Sequence, residues 1–470
     1  MPDLVVSVSR PKRRLIIIVR ADPVICGHSG EARNLAEAAL QRGYDDVRII
    51  TWPIESLGAF PLKPLDSVLP YSRGITVERP APVGDYKVPD GRFIAGMVGR
   101  LVELFTDGTS TVCLSLYLTP HANVAMEALA MAKQMGRPVD VTTVAEAVGS
   151  DITNVVRSSL ADGALGAAAA VFVTYLAHDR CVAVSRYTKD LIVESARQVD
   201  EALGTDFAVQ CESRVGISYP AVNSSTFIDI EPREVQDALA RRGLVVGGYV
   251  LFLSRITPAK GVADLIDGYR RSVARHHVRL VIAGNGVARA DAVEQAAGSG
   301  CTEQIVFLDD VDDDEKRLLM AGCAAYVLPS KPMPEFVETF GIALVEKMLA
   351  GGGPVITTAT GGIPEAVGGH ATFVAPGCPS DIARTLDEAV MELGQAERDT
   401  RAADARAFAM RFDRLAIFDR LFAGFADRSD EAIDLQSSGL AAPRDLSPRV
   451  EESEASAAAP RSGPLEPSLA

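Results

Sequence analysis

The chain has 470 residues, with 47 Lys and Arg against 62 Asp and Glu and a formal net charge of −15. At about 100–200 residues per domain this is room for two to four domains, and 47% apolar with 23% charged residues is an ordinary globular balance. The negative total argues against a general nucleic-acid binder, which needs a basic face for the phosphates, and weakens docking on an anionic membrane.

Along the chain, Leu15–Val19 follows Pro11-Lys12-Arg13-Arg14 and is ended by Arg20. This apolar run is shorter than the ~7–15 residues of a signal-peptide core and reads as a buried first strand. A loop from Asp22 to Gly30 leads into a helix expected from Glu31 to Arg42, stopped by Gly43, and Val47–Thr51 completes a βαβ unit. The Pro- and Gly-rich segment from Ile54 to Arg92 reads as an irregular excursion. Thr111–Leu116, Val139–Thr143 and Cys181–Ser185 read as further strands, with an Ala-rich helical stretch from Ile152 to Tyr175 before the last. Its longest apolar run, Ala164 to Val173, falls short of the ~18–20 residues that span a bilayer.

A second series begins after Tyr219-Pro220 and a charged stretch, Glu231 to Arg242. Tyr249–Ser254, Val278–Ala283, Ile305–Phe307, Ala325–Leu328, Pro354–Thr358 and Ala371–Val374 read as its strands. The expectation is an α/β protein with two doubly wound domains, 14–217 and 218–395, facing across a cleft. Helices over 396–427 are expected to pack back on the first domain, and a Ser-, Ala-, Pro- and Glu-rich tail over 428–470 to be disordered. The seven cysteines are scattered, with no Cys-x-x-Cys and no zinc spacing, so they read as reduced core thiols of a cytoplasmic protein without a metal site.

The strongest local pattern runs from Glu338 through Thr339-Phe340-Gly341-Ile342-Ala343 to Glu346. It opens a helix after a strand, so the amides of Gly341, Ile342 and Ala343 favour a bound phosphate. Glu338 either caps that helix or accepts from sugar hydroxyls. Glu346, just over two turns on, either is solvated or grips the two hydroxyls of a ribose. Arg255 and Lys260 follow the strand Tyr249–Ser254 and read either as a solvated pair or as cations converging on one diphosphate. Ala283-Gly284-Asn285-Gly286 forms the next strand-to-helix turn and lacks the third glycine of a dinucleotide fingerprint.

Together, and in this order, Ser254-Arg255-Ile256-Thr257-Pro258-Ala259-Lys260-Gly261, Ile282 to Gly286, Pro329-Ser330, Glu338 to Glu346 and Gly361-Gly362-Ile363-Pro364-Glu365 resemble the retaining GT-B glycosyltransferases of glycosyltransferase family 4. The resemblance covers residues 14 to 425, most strongly 215 to 395. It implies that Arg255 and Lys260 hold the donor diphosphate, that Glu338 contacts the donor sugar, and that Glu346 binds the ribose. Gly284 would lie near the phosphates and Val311 to Lys316 beside the base. Gly27-His28-Ser29-Gly30 matches the family's glycine loop near diphosphate and acceptor. Where the family often has a His after a strand, ungapped alignment puts Glu146 in this chain, with His121 the other polar candidate nearby.

The implied activity is transfer of a hexosyl group, with retention, from UDP- or GDP-hexose to a hydroxyl of a small soluble acceptor: a sugar, sugar phosphate, polyol or aminocyclitol. The donor is a substrate, and neither a resident cofactor nor a metal is called for. Two alternatives stay open: a pseudo-glycosyltransferase joining a nucleotide-linked cyclitol to an amine, and a non-catalytic nucleotide-sugar-binding protein. A two-carboxylate hydrolase is disfavoured, because Glu338 and Glu346 are held at helical spacing rather than across a glycosidic bond.

Overall fold

The apolar runs become two parallel sheets. The computed structural model describes residues 12–20, 26–57, 71–84, 89–334 and 336–425. The first sheet comprises β1 (Arg13–Ile18), β2 (Asp46–Ile50), β3 (Ile75–Glu78), β4 (Ser110–Leu116), β5 (Val141–Ala147), β6 (Arg180–Ala183) and β7 (Val215–Ile217). Its order is β3-β2-β1-β4-β5-β6-β7. The second comprises β8 (Tyr249–Leu253), β9 (Arg279–Ala283), β10 (Ile305–Leu308), β11 (Ala325–Leu328), β12 (Val355–Thr357) and β13 (Ala371–Phe373), in the order β10-β9-β8-β11-β12-β13. All pairings are parallel. Helices cover both faces of such sheets, which is why Leu15–Ile18 and Val250–Phe252 are wholly buried, continuous apolar runs rather than alternating ones.

Both sheets reverse direction at their first strand, β1 beside β4 and β8 beside β11, and the strand carboxyl ends there are the expected ligand crevices of a doubly wound sheet. The expected α/β architecture is therefore present in duplicate.

Several boundaries differ from expectation for identifiable reasons. The first helix spans Gly27–Gln41, so Gly27-His28-Ser29-Gly30 is its first turn rather than a loop. Cys26 sits extended at the N-cap, and the buried Ser29 hydroxyl donates to the Arg20 carbonyl at 2.8 Å, which ties that turn to the end of β1. β3 lies inside the segment read as irregular; it is a half-exposed edge strand whose Glu78 is held by Arg48 and Arg100. β7, three residues long, is too short to show a period. β5 runs to Ala147, beyond the expected end at Thr143, because it stays in register with β4 up to Leu116 against Glu146.

The helix Arg414–Leu421 lies on the first half of the chain: Arg42 forks onto Asp419 at 2.6 and 2.5 Å, and Tyr44 meets Phe418 edge to face. Glu365, from the second half, accepts from the backbone N–H groups of Arg186 (2.8 Å) and Tyr187 (3.1 Å) and from the Tyr219 hydroxyl (3.0 Å). It thereby places a carboxylate at the N-terminus of the helix Arg186–Leu203, where the helix dipole favours it. The tail over 428–470 lies outside the described residues.

Candidate functional site

A cavity of about 470 Å³ lies where the strand ends of the two sheets meet. Its walls come from the segments after β1 (Arg20, Cys26, Gly27, His28, Glu31), β4 (Tyr117), β5 (Val148, Gly149, Ser150), β8 (Arg255, Lys260) and β11 (Phe336 to Ala343). The two halves touch across it. A Cβ on Gly27 would lie 3.0 Å from the Ile342 side chain, and one on Gly149, at φ +99°, would lie 2.3 Å from that of Thr339.

On the second-sheet wall, Arg255 is exposed and has no ion-pair partner among the described residues. Lys260 is buried, pairs with Glu338, and its ammonium stands 5.3 Å over the Phe336 ring. The loop that carries them is set by close backbone packing. The Ile256 N–H donates to the Asn285 carbonyl at 2.8 Å, and a Cβ on Gly284, at φ +126°, would lie 2.2 Å from the Ser254 carbonyl oxygen. Gly284 thus braces the Arg255 loop from behind and does not line the cavity. Gly341, at φ +103°, caps the helix Ile342–Ala350, whose start opens on the cavity through Gly341, Ile342 and Ala343. An anion is favoured there by the helix dipole and the free first-turn amides.

Glu346 stands outside the lining, paired with Lys316 at 2.8 Å, and Val311 packs against the apolar core of the second half. Gly30 is exposed and away from the cavity. His121 is buried behind Tyr117, its ring 5.5 Å from the tyrosine ring and 4.6 Å from Trp52. Glu146 is wholly buried. Because β5 continues to Ala147, Glu146 points into the body of the domain, and the residue that reaches the cavity past the strand is Val148. The expectation of Glu146 at the cavity wall is corrected accordingly: the strand ends at Ala147, four residues beyond the expected Thr143.

Sequence reasoning missed Glu31, Tyr117, Val148 and Asp151. Glu31 lies three residues beyond His28, on the same helix face, which the expected loop concealed. Tyr117, the residue after β4, sits at φ +146°, a backbone region that non-glycine residues rarely adopt and that is enriched at functional sites. Asp151 accepts from the backbone N–H groups of Leu118 (3.3 Å), Val148 (3.2 Å), Gly149 (2.9 Å) and Ile152 (3.1 Å), so one buried carboxylate ties the β4 and β5 ends together.

Ionisation on this wall is strongly displaced. Burial pushes Glu31 up to about 7, against the pull of His28 and of the Ala221 N–H it accepts at 3.3 Å. Burial and the Glu31 charge raise Glu146 well above the usual carboxylate range. Burial and the neighbouring His28 push His121 down to about 3. At Cys26, burial raises the thiol, but the His28 imidazole and the Ser29 hydroxyl, 3.1 Å away, outweigh it and bring the thiol down to about 6. A helix N-terminus acts in the same direction. Cys26 is therefore expected to alkylate with iodoacetamide at a rate that rises through pH 6 and is flat by pH 8, because the thiolate is the nucleophile. Cys113 and Cys211, pushed up to about 12 by burial, should stay unmodified. Peptide mass spectrometry across pH 5–8 reads both, and a Cys26 rate still climbing steeply at pH 8 contradicts the pairing.

Residues 247–405 match the family model for glycosyl transferases group 1. An uncharacterized glycosyltransferase of Methanocaldococcus jannaschii is 28% identical over 216 residues, which is 45% of this chain and 53% of that protein. A phosphatidyl-myo-inositol mannosyltransferase of Mycobacterium tuberculosis is 35% identical over 153 residues, 32% of this chain and 35% of the relative. The chain thus spans about half or less of the length of these curated relatives. Across the whole fold, the structure of Anabaena HepE in complex with UDP-glucose superposes with a TM-score of 0.63 at 18% identity, over 88% of this chain and 99% of that one. The α/β architecture is thus that of solved GT-B proteins, and residues 247–405, which match the glycosyl transferases group 1 model, supply Arg255, Lys260 and Glu338 to the cavity.

Proposed function

We propose that the protein is a retaining glycosyltransferase that moves a hexosyl group from UDP- or GDP-hexose to a hydroxyl of a small soluble acceptor. The observation that carries this reading is the second-sheet wall. A free guanidinium, an ammonium–carboxylate pair and an open helix N-terminus share one cavity of about 470 Å³, large enough for a nucleotide-linked sugar. Arg255 and Lys260 hold the diphosphate, Glu338 meets the sugar hydroxyls, and the Ile342 helix start faces the phosphates. Glu346, in the second turn of that helix, reaches the ribose once its contact with Lys316 opens. HepE was solved with UDP-glucose, and that ligand suits the same cavity type here.

In the reaction, the bond from the anomeric carbon to the phosphate oxygen breaks as the acceptor oxygen bonds on the same face. The acceptor proton passes to the departing phosphate oxygen, so no protein nucleophile is needed. Catalysis then consists of positioning and stabilisation of the developing diphosphate charge. Among the described residues no helix is long and apolar enough to cross a membrane. The net charge of −15 disfavours docking on an anionic lipid surface, which supports a soluble acceptor.

The test is incubation with UDP- and GDP-hexoses and a panel of acceptors, following nucleotide diphosphate release and the anomeric configuration of the product by NMR. Release with retained configuration is expected. Donor binding without release identifies a nucleotide-sugar-binding protein instead, and an inverted product rejects the proposed course. In the active protein, Glu338→Ala should lower kcat/KM for the donor by roughly 10–100-fold, the effect of losing a charged hydrogen bond worth about 1.5–3 kcal/mol.

A further inference from the structure

We propose that the first-sheet wall of the cavity is a subsite for a protonated amine on the acceptor, bound by Glu31 with Glu146 behind it. This rests on the glycosyltransferase reading and names its acceptor class, an amino sugar or aminocyclitol.

The cavity is divided by charge. Arg255 and the Ile342 helix start make one wall attractive to a diphosphate, whereas the opposite wall, which carries Arg20 and His28 at the end of β1, is backed by the carboxyls of Glu31, Glu146 and Asp151. These three carboxyls are not equivalent. Asp151 is saturated by four backbone N–H groups. Glu31, only 1% exposed yet part of the lining, uses one oxygen on the Ala221 N–H, and its other oxygen takes no hydrogen bond among the described residues. Glu146, 0% exposed, has two oxygens without a donor, and the group it meets is the Glu31 carboxyl.

A buried carboxyl oxygen without a donor at the cavity wall, with a second carboxyl facing it from behind, is costly in a wall that performs only packing. The Glu31 oxygen is accounted for by a donor that arrives with a ligand. A hydroxyl brings one proton donor and no charge; an ammonium brings three donors and the opposite charge. An amine is therefore the group that matches the vacant acceptor on Glu31 and the sign of the carboxyl pair. The other charged or titratable groups around the pair are His28 on the Gly27–Gln41 helix, which faces both Cys26 and Glu31, Cys26 itself, Asp151 after β5, Tyr175 beside Glu146, and Arg20 on the same wall. None of them supplies a donor to Glu146. Without the amine, the facing carboxyls keep a shared proton, since both cannot ionise side by side. Binding of a cation favours ionisation of both and releases that proton.

Matched acceptors test this: glucosamine against glucose, and 2-deoxystreptamine against scyllo-inositol, titrated calorimetrically into the full chain in the presence of UDP. The wild type is expected to bind the amine of at least one pair at least tenfold more tightly than its neutral partner. It should release a proton, read as a heat that differs between two buffers, and the preference should grow from pH 6 to pH 7, where the Glu31 pair gives up its proton while the amines stay protonated. Glu31→Gln keeps the acceptor oxygen for the Ala221 N–H and should abolish the preference while leaving the thermal shift by UDP intact. If Glu31→Gln does not fold, Glu146→Gln and the wild-type pH series decide the question in the same way. Equal affinities within both pairs, a preference that survives Glu31→Gln, or one that is flat with pH overturns the subsite. Nucleotide diphosphate release is scored separately. Amine preference without release sinks the transferase reading and leaves the subsite; release with neutral acceptors alone does the reverse.

Discussion

Arg255→Ala is expected to lower turnover by about 10²–10³-fold, the loss seen when one donor to a developing transition-state charge is removed. The departing diphosphate gains negative charge as the glycosidic bond breaks. Arg255 is the guanidinium in the cavity with no ion-pair partner among the described residues, so its charge is available to that group. Lys260, by contrast, is already engaged by Glu338. Because Arg255 is exposed and unpaired, its removal should leave the melting temperature unchanged, which separates a chemical role from a structural one. Arg255→Lys should recover only part of the rate, since a point charge replaces a two-pronged fork. Steady-state kinetics with a varied donor, run beside thermal unfolding, checks all three statements. Turnover within threefold of wild type in Arg255→Ala would place the diphosphate elsewhere.

The fold was legible in the sequence where physical signals are strong. Parallel strands buried on both faces appear as unbroken apolar runs, and Leu15–Ile18, Val250–Phe252 and Ala325–Leu328 need no tertiary information to be found. β3 and β7 were not legible, because an edge strand with one wet side and a three-residue strand carry too little pattern. On the second-sheet wall, Arg255, Lys260, Glu338 and Gly341 to Ala343 do converge in space, since each follows a strand end at the switch point. The first-sheet wall was much less legible. A helix that begins at Gly27 rather than Glu31 moves one carboxylate into the cavity, and a strand that ends at Ala147 moves another out of it. Burial direction at an element boundary depends on where that element stops, and neither the Cys26 N-cap nor the Leu116–Glu146 register has a sequence signature of its own.

This asymmetry has a functional counterpart. The second-sheet wall, which the proposed function assigns to the donor, is built from backbone amides, cations and glycines that permit close approach. The first-sheet wall, which it assigns to the acceptor, is built from side chains whose protonation depends on burial and on one another, so the proposal puts acceptor selectivity there.

Gly362→Ala is expected to destabilise the protein by about 3 kcal/mol, the upper end for overpacking, and to abolish donor binding with it. A Cβ at Gly362 would lie 1.9 Å from the Thr339 carbonyl oxygen, 2.6 Å from its carbon and 3.1 Å from the Phe340 Cα. Every one of these atoms is backbone, so no side-chain rotation relieves the clash and the loop itself must move. That loop carries Glu338, whose carbonyl accepts from the Gly362 N–H at 2.9 Å, and it leads directly into the Ile342 helix. Displacing it shifts the partner of Lys260 and the phosphate-facing amides together. Gly30→Ala is the matched control: a Cβ there meets nothing within 4 Å, and its helical position favours alanine by roughly 0.5–1 kcal/mol. Urea midpoints and UDP thermal shifts for the two variants should therefore move in opposite directions or, for Gly30→Ala, hardly at all. A Gly362→Ala protein with normal stability and normal donor affinity would mean that the Gly361-Gly362 turn does not support the site.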